Sequence, residues 1–275
     1  MIEAYSLYSG SSGNAYLIKC KSTALLVDAG RSCAALCRSI KGTQTAPEDI
    51  SAVLVTHEHS DHVSALRVFC KKYHPLLISV PPVLQAICEN EGMCDSARAL
   101  PLGREFVIGD IAISACGTSH DSAASVCYRF RTADGESLVI ATDMGEVTPG
   151  CSEFLAGADF AVIESNHDPH MLRVGPYPAW LKSRIASRVG HLSNEQCGEL
   201  AVSLAKAGTK GFVLAHLSRE NNTPELAYGA VSECLCAAGF EGLPITCAGE
   251  SCTVKITVDG GCCSVCTEID VEAEA

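Results

Sequence analysis

Short apolar runs bounded by turn residues recur along the chain, and each predicts a β-strand. Isolated runs of this kind cover residues 15–19, 24–28, 52–56, 160–164, 211–215 and 253–258. Residues 106–115 predict two more short strands around Gly109-Asp110. Residues 126–131 and 137–141 predict a hairpin across Ala133-Asp134-Gly135. The pattern is typical of a protein rich in short strands.

Apolar residues spaced three and four apart predict helices at residues 64–73, 82–90, 194–207 and 224–238. Ser193 and Gln196 fit a capping box at the start of the third of these helices. The strands come in runs, and the helices are interleaved late in each half of the chain. We therefore expect an α+β protein with two sheets covered by helices.

The composition is that of a globular domain. The chain has 275 residues, of which 47% are hydrophobic, and a mean hydropathy of +0.19. It has no uninterrupted apolar run near the roughly 18 residues of a membrane span, which excludes such a span. We assign residues 1–270 to one domain and residues 271–275 to a flexible tail. The first residues lack a basic segment followed by a long apolar stretch, so we expect a cytoplasmic protein with no membrane partner.

Charge is distributed unevenly along the sequence. The formal net charge is -12, which argues against a surface that binds nucleic acid over its whole extent. Residues 169–194, however, contain no Asp or Glu. Their basic residues are Arg173, Lys182, Arg184 and Arg188. This acid-free segment is either a solvated face or a surface that contacts a phosphate backbone.

The sequence contains 17 cysteines, scattered through a full-sized domain. This is not the pattern of a short secreted disulfide scaffold, so we expect most of them to be small buried hydrophobic residues. Cys262, Cys263 and Cys266 have the residue type of a thiolate zinc site, but no fourth ligand lies nearby in the sequence. They are either plain strand cysteines or part of such a site.

A cluster of metal-binding residue types follows one apolar strand directly. His57, His59, Asp61 and His62 lie within six residues. Imidazole suits zinc and iron, whereas carboxylate suits harder ions, so a mixed set can hold two divalent ions. Clustered titratable groups at a strand end would otherwise repel one another or stay unsatisfied. The sequence therefore predicts a metal site on this ligand loop.

The pattern His-x-His-x-Asp-His of the ligand loop resembles the signature of the metallo-β-lactamase superfamily. The superfamily's other motifs are matched in order, each at the end of an apolar strand, by residues 26–30, 119–121, 142–145 and 214–218. The resemblance implies an αββα four-layer sandwich. It also implies that Asp28 braces the ligand loop and does not itself bind metal.

The same resemblance implies two divalent metal ions, zinc or manganese, with iron as a further option. The implied ligands are His57, His59 and His120 for the first ion, Asp61, His62 and His216 for the second, and Asp143 between the two. Two ions about 3.5 to 4 Å apart can share a hydroxide nucleophile. Asp61 is also expected among the catalytic residues.

Two features of the sequence indicate which branch of the superfamily it resembles. A bridging Asp143 departs from the β-lactamases, and His59 departs from the flavin-linked di-iron branch, which has Glu at that position. Residues 190–193, followed by residues 215–218, resemble a motif pair of ribonuclease Z and related phosphodiesterases. The resemblance therefore implies cleavage of a phosphodiester.

Residues 9–15, 164–168 and 215–222 resemble the bacterial WalJ/YycJ group. That resemblance implies 5′-to-3′ exonuclease action, with duplex DNA as the partner. Two alternatives stay open, namely hydrolysis of a small phosphodiester such as a cyclic nucleotide, and a non-catalytic metal-binding regulatory role. The sequence does not give the oligomeric state.

Three more residues are candidates for a role at the substrate. His191 precedes the predicted capping box, where free N–H groups and the helix dipole favour an anion, and its imidazole is a candidate catalytic acid. Asn14 either donates to a phosphate or serves its own turn. His167, in a polar cluster after a strand, either supports the site and contacts substrate or is a satisfied turn histidine.

Overall fold

Two β-sheets form the centre of the protein. The computed structural model describes residues 1–91, 97–250 and 252–267. Its strands are β1 (Ile2–Tyr8), β2 (Ala15–Cys20), β3 (Thr23–Val27), β4 (Ile50–Leu54), β5 (Leu76–Ser79), β6 (Ala97–Ala99), β7 (Phe106–Ile108), β8 (Ile111–Gly117), β9 (Val126–Thr132), β10 (Ser137–Ala141), β11 (Phe160–Glu164), β12 (Phe212–Ala215), β13 (Ile245–Cys247), β14 (Val254–Asp259) and β15 (Cys262–Thr267). The first sheet has the order β15-β14-β1-β2-β3-β4-β5-β6 and the second the order β13-β12-β11-β10-β9-β8-β7.

Helices cover both sheets. They are α1 (Cys33–Gly42), α2 (Ser60–Val63), α3 (Leu66–Tyr73), α4 (Pro81–Glu91), α5 (Pro149–Leu155), α6 (Pro169–Val174), α7 (Ala179–Ile185), α8 (Asn194–Lys206) and α9 (Pro224–Ala237), with a 3₁₀ turn at Pro47–Asp49. Apolar residues of α1, α3 and α4 pack with the first sheet, and those of α5, α8 and α9 pack with the second.

The alternation of side chains along a strand explains the layers. In β10, Leu138 and Ile140 join the core between the sheets, whereas Val139 and Ala141 face the helices on the other side. Every residue of β10 is buried, as expected where a sheet is covered on both faces. The predicted αββα sandwich is therefore confirmed.

Each of the two sheets contains a group of adjacent parallel strands. In the first sheet β3, β4, β5 and β6 run parallel, and in the second β10, β11, β12 and β13 do. The carboxyl ends of parallel strands meet at one edge of a sheet, which is where open α/β sheets bind their ligands. The ligand loop follows β4, Asp143 follows β10 and His216 follows β12, whereas His120 follows the antiparallel strand β8.

Some expectations need adjustment. β1 was not predicted, although it pairs with both β2 and β14. The helix expected over residues 64–73 begins at Leu66, after the separate short α2. Residues 271–275, assigned to a flexible tail, lie outside the described residues, and the assignment of residues 1–270 to one domain stays a prediction.

Two further features bear on the sequence predictions. Cys262, Cys263 and Cys266 lie in the edge strand β15, and no cluster of metal-binding side chains within the described ranges includes them. They are strand cysteines. Among all the residues that the structure describes, no helix combines the length and the apolar character needed to cross a membrane.

Candidate metal centre and its cavity

The strand ends bring the predicted ligands together at one edge of the sandwich. The contributing residues are Asp28 after β3, the ligand loop after β4, His120 after β8, Asp143 after β10, Glu164 at the end of β11 and His216 after β12. The two sheets thus share one polar centre, although the ligand loop and His216 are far apart in sequence.

The potential ligand atoms form overlapping groups. His57, His59 and His120 have nitrogens within 4.8 Å of one another. Asp61, His62 and His216 form a second such group. Asp143 belongs with His57 and His62 in a third group. These are the two sets implied by the family resemblance, with Asp143 next to both.

Asp28 fixes the ligand loop from beneath. Its Oδ1 accepts from the Thr56 backbone N–H at 2.8 Å, and its Oδ2 lies 2.8 Å from His62 Nδ1. The Thr56 hydroxyl donates to the same carboxylate at 2.9 Å. Because the Nδ1 atom of His62 is held, the Nε2 atom faces the centre. Asp28 therefore has the bracing role that the resemblance implied.

Glu164 is the counterpart of Asp28 in the second sheet, and sequence reasoning did not single it out. Its Oε1 lies 2.9 Å from His216 Nδ1 and 2.7 Å from His191 Nδ1. Its Oε2 accepts from the backbone N–H groups of Met144 at 2.8 Å and Leu192 at 3.2 Å. One signal was present in the sequence, because an apolar strand that ends in a carboxylate predicts a buried and therefore partnered charge.

The other histidines are also oriented through one ring nitrogen. His120 Nδ1 lies 3.1 Å from the Gly190 carbonyl oxygen, and His57 Nδ1 lies 3.0 Å from the Thr56 hydroxyl. Such contacts fix the tautomer and the ring orientation of a metal-binding histidine. The remaining nitrogens of both rings turn toward Asp143 or His59.

Burial and neighbouring carboxylates shift the pKa values of the centre in opposite directions. Burial alone would lower the pKa of His62, but Asp143 and Asp28 raise it to about 10. The pKa of His216 is likewise raised, by Asp143 against its burial. Burial lowers the pKa of His57 well below the ordinary range. Asp143 has a lowered pKa because His216, His62 and His57 outweigh its burial.

The backbone is unusual at the residues that close the strands. Asp28, Asp143 and His216 have φ angles of 59°, 58° and 57°, in the left-handed region that non-glycine residues seldom adopt. Gly30 permits the closest approach, because a Cβ there would lie 1.7 Å from the Asp61 carbonyl oxygen. The motif after β3 and the ligand loop can touch only with glycine at this position.

The residues fit a divalent cation by their own chemistry. Asp143 Oδ2 and His216 Nε2 are buried and have no hydrogen-bond partner among the residues that the structure describes. His216 Nε2 lies 3.7 Å from Asp61 Oδ2, and His62 Nε2 lies 3.4 Å from Asp143 Oδ2. Buried polar atoms that converge without a hydrogen-bond partner destabilise the folded protein unless a cation binds between them.

A cavity of about 260 Å³ opens from the centre to the surface. It is lined by Ser11, His59, Asp61, Asp143, Asn166, Tyr177, Leu181, Arg184, Ile185, His191, His216 and Ser218. Predicted metal ligands such as Asp61 and His216 form part of this lining, and α7 with Tyr177 before it forms another part. The acid-free segment thus borders the candidate metal centre.

The four basic residues of that segment differ in their surroundings. Arg184 lines the cavity, with its Nε 2.5 Å from Asp121 Oδ2. Arg188 makes two hydrogen bonds with the Glu146 carboxylate, at 2.7 and 2.9 Å. Lys182 Nζ donates to the Arg173 carbonyl oxygen at 2.8 Å. Among the described residues, neither Lys182 nor Arg173 has a carboxylate partner, so these two keep their charge free.

Asn14 and His167 are both buried. The Asn14 side chain accepts from Gly10 N at 3.0 Å, and its Nδ2 lies 3.0 Å from His62 Nε2. Asn14 thus bonds within its own turn and contacts the ligand loop, and its role toward a phosphate stays a prediction. The His167 side chain has a pKa lowered by burial to about 4, and its backbone pairs with Ser193.

The start of α8 is held by hydrogen bonds within the protein. The capping box of Ser193 and Gln196 is confirmed. The backbone N–H of Leu192 donates to Glu164, and that of Asn194 donates to the His167 carbonyl oxygen. The N–H groups of Ser193, Asn194 and Gln196 at this helix end are thus bonded to the protein's own acceptors, and the anion site expected beside His191 stays a prediction.

Comparisons with known proteins agree with this geometry. A family model described as a beta-lactamase superfamily domain matches residues 23–217. The chain is 40% identical over 226 residues to exodeoxyribonuclease WalJ of Streptococcus pneumoniae, a match that covers 81% of this chain and 84% of that protein. It is 38% identical over 236 residues to exodeoxyribonuclease YycJ of Bacillus anthracis, covering 85% of this chain and 89% of the relative.

Solved structures share the fold at low sequence identity. The metallo-beta-lactamase fold protein YhfI of Bacillus subtilis matches with a TM-score of 0.69 and 17% identity, over 92% of this chain and 99% of YhfI. The short form of human tRNase Z matches with a TM-score of 0.63 and 16% identity, over 91% of this chain and 98% of that protein. The chain therefore belongs to the metallo-β-lactamase superfamily, whose fold implies divalent metal ions, and within it to the family of WalJ and YycJ.

Proposed function

We propose that the protein is a dinuclear metal-dependent phosphodiesterase that degrades DNA from the 5′ end as an exonuclease. The observation that carries this proposal is the meeting of two His/Asp groups beside Asp143 in one cavity open to solvent. Two adjacent metal sites suit an in-line displacement at phosphorus, because they stabilise both the attacking and the leaving oxygen. The names of the two relatives support DNA as the substrate.

The ligand assignment follows the groups in the structure. His57, His59 and His120 would hold one ion, Asp61, His62 and His216 the other, and Asp143 would contact both. Imidazole and carboxylate donors in this ratio suit zinc or manganese, and iron is a third choice. When bound, such ions supply Lewis-acid polarisation of the phosphate and activation of the attacking water.

The chain's own residues supply orientation and proton transfer. His191 reaches the cavity with 15% of its side chain exposed, and Glu164 holds its Nδ1. Its Nε2 is therefore the atom able to protonate a leaving alkoxide. Asp61 lines the cavity, where its carboxylate can accept a hydrogen bond from the attacking water. Glu164 keeps both His191 and His216 in place.

End-labelled substrates test this function. Protein loaded with zinc or manganese should release mononucleotides from 5′-labelled duplex DNA at the earliest time points, whereas 3′-labelled duplex should shorten progressively. Single-stranded DNA, RNA, a cyclic nucleotide and bis(p-nitrophenyl) phosphate are compared at equal protein concentration. Early release of the 3′ label would refute the polarity, and internal fragments would refute exonuclease action.

A small phosphodiester is the second candidate substrate. The ion pairs of Arg184 with Asp121 and of Arg188 with Glu146 support this candidate, because paired cations attract a DNA backbone less. Faster turnover of the cyclic nucleotide than of duplex DNA at equal concentration would favour this candidate. A metal-loaded protein that turns over none of these substrates would favour the regulatory alternative.

A further inference from the structure

The single tryptophan of the chain lies on the helix that lines the cavity of the candidate metal centre. Trp180 is 68% exposed, although a side chain of its size is usually largely buried. It belongs to α7, whose residues Leu181, Arg184 and Ile185 line the cavity. An indole exposed on this helix is accessible to a ligand that extends out of the cavity.

Helix geometry places the indole beside a cavity cation. Trp180 precedes Arg184 by four residues, so the two side chains lie on the same side of α7. Tyr177, just before the helix, lines the cavity as well. This rim, made of Tyr177, Trp180 and Arg184, combines two aromatic rings with a guanidinium, and Tyr177 and Arg184 line the cavity itself.

The chemistry of the surrounding surface favours an anionic ligand with flat apolar parts. The acid-free segment stands out in a chain of net charge -12. Arg173 carries unpaired charge within the described residues, and Val174 near it is 64% exposed. Aromatic side chains interleaved with basic ones are the arrangement by which proteins bind single strands of nucleic acid, through stacked bases and neutralised phosphates.

We propose that Trp180 stacks on a nucleobase of the strand being degraded, next to the phosphodiester that lies in the cavity. This proposal rests on the proposed function and adds a substrate-positioning residue to it. The stacked base would hold the strand end while Arg184, exchanging Asp121 for a phosphate, contacts the backbone. Because every base has an aromatic face, such a contact favours polynucleotides over small phosphodiesters without selecting a sequence.

The lone tryptophan makes direct observation possible. Metal-loaded protein is titrated with a 5′-phosphorylated oligonucleotide whose first linkages are cleavage-resistant phosphorothioates, and indole fluorescence is recorded together with the anisotropy of a label at the far 3′ end. Stacking predicts quenching of the indole emission with the same midpoint as the anisotropy change. An oligonucleotide with abasic nucleotides at its 5′ end should bind more weakly and quench less.

Substitutions at Trp180 test whether an aromatic ring is needed at this position. Trp180→Ala should raise the dissociation constant for DNA by about 5- to 150-fold, the range of one stacked base. Its turnover should fall more on DNA than on bis(p-nitrophenyl) phosphate. Trp180→Phe should recover much of the loss. The variant Tyr228→Ala is the matched control, because Tyr228 is an aromatic residue of α9, 47% exposed, that is absent from the cavity lining. Circular dichroism checks that each variant folds.

The outcomes distinguish the two proposals. DNA that binds and is cleaved without quenching, or a Trp180→Ala variant with unchanged affinity, overturns the stacking role but leaves the nuclease intact. Equal losses on normal and abasic DNA in Trp180→Ala also overturn it. An indole emission that changes with protein concentration alone, together with a dimer in sedimentation, makes this rim an interface between two copies. Failure of the wild type to bind or cleave any DNA overturns the nuclease proposal and the stacking with it.

Discussion

The ligand loop and helix α7 both line the cavity, and they are built in opposite ways. His57 and His62 are fully buried, and their rings are fixed by Thr56 and Asp28. On the short helices α6 and α7 of the acid-free segment, by contrast, Arg173, Trp180 and Arg184 are exposed to solvent. The ligand loop is thus a buried wall held by a network of buried hydrogen bonds, whereas α6 and α7 form an exposed wall whose polar contacts lie at the surface.

The contrast indicates a division of labour between chemistry and recognition. Displacement at phosphorus requires groups held within a fraction of an ångström, which buried hydrogen-bonded residues provide. Recognition of a strand requires contacts that tolerate different bases. Substitutions at the buried wall should therefore abolish reaction on every substrate, whereas substitutions at the exposed wall should change which substrates react.

Removal of the shared carboxylate should have the largest effect. Asp143→Ala is expected to reduce turnover by several powers of ten on DNA and on bis(p-nitrophenyl) phosphate alike, because both ions would lose a ligand. The fold should persist. Turnover and metal content by elemental analysis are the measurements, with Asp134→Ala, in an exposed turn, as the control. Full activity with two ions per chain would show that Asp143 is not a ligand.

Substitution of His191 should have the second largest effect on turnover. His191→Ala is expected to keep its metal and its thermal midpoint but to lose about 10²- to 10⁴-fold in turnover of DNA, the usual range for general acid catalysis. The loss should shrink on bis(p-nitrophenyl) phosphate, because a nitrophenolate leaves without a proton. Equal losses on both substrates, or early melting, would rule out the role of proton donor.

Glu164 should matter through the histidines it holds. Glu164→Gln is expected to reduce metal affinity or turnover by about 10- to 100-fold, as is typical when the partner of a metal-binding histidine is altered. Competition with a chelator gives the metal affinity, and Glu199→Gln, on the exposed side of α8, is the control. An unchanged affinity and an unchanged rate would mean that His191 and His216 keep their orientation without this carboxylate.

Charge reversal on the exposed wall should have the smallest effect. The double change Arg173→Glu and Lys182→Glu is expected to weaken DNA binding and to flatten its salt dependence by about one unit of slope per lost phosphate contact. Binding isotherms at several salt concentrations measure the slope, and Lys206→Glu, exposed at the end of α8, is the control. A slope equal to that of the wild type would identify the segment as a solvated face.

The sequence predicted the buried wall well and the exposed wall poorly. The ligand loop is contiguous, so its residues could be recognised together, and the strand ends that carry Asp143 and His216 are apolar runs with clear limits. Glu164 was missed because its partners His191 and His216 lie in later segments. The short helices α6 and α7 were missed because they are too brief for a periodic pattern and are interrupted by prolines.

Pairing between distant residues was also beyond the sequence. Arg184 and Asp121 are 63 residues apart, and Arg188 and Glu146 are 42 apart. Only the packing of the second sheet with the acid-free segment shows that two of the four cations are partly neutralised. A segment free of acidic residues is therefore not the same as a surface free of negative charge.

The left-handed backbone at Asp28, Asp143 and His216 has a consequence for the evolution and engineering of this protein. Each such residue costs about 1 kcal/mol or more of folding stability, which the surrounding strands must offset. Glycine would relieve the strain, but at Asp28 and His216 it would also remove buried hydrogen bonds to Thr56, His62 and Glu164. Asparagine tolerates the left-handed region and keeps the shape of aspartate. A library screened only for thermal survival should therefore accept asparagine at positions 28 and 143, and a screen that also requires turnover should retain aspartate at position 143.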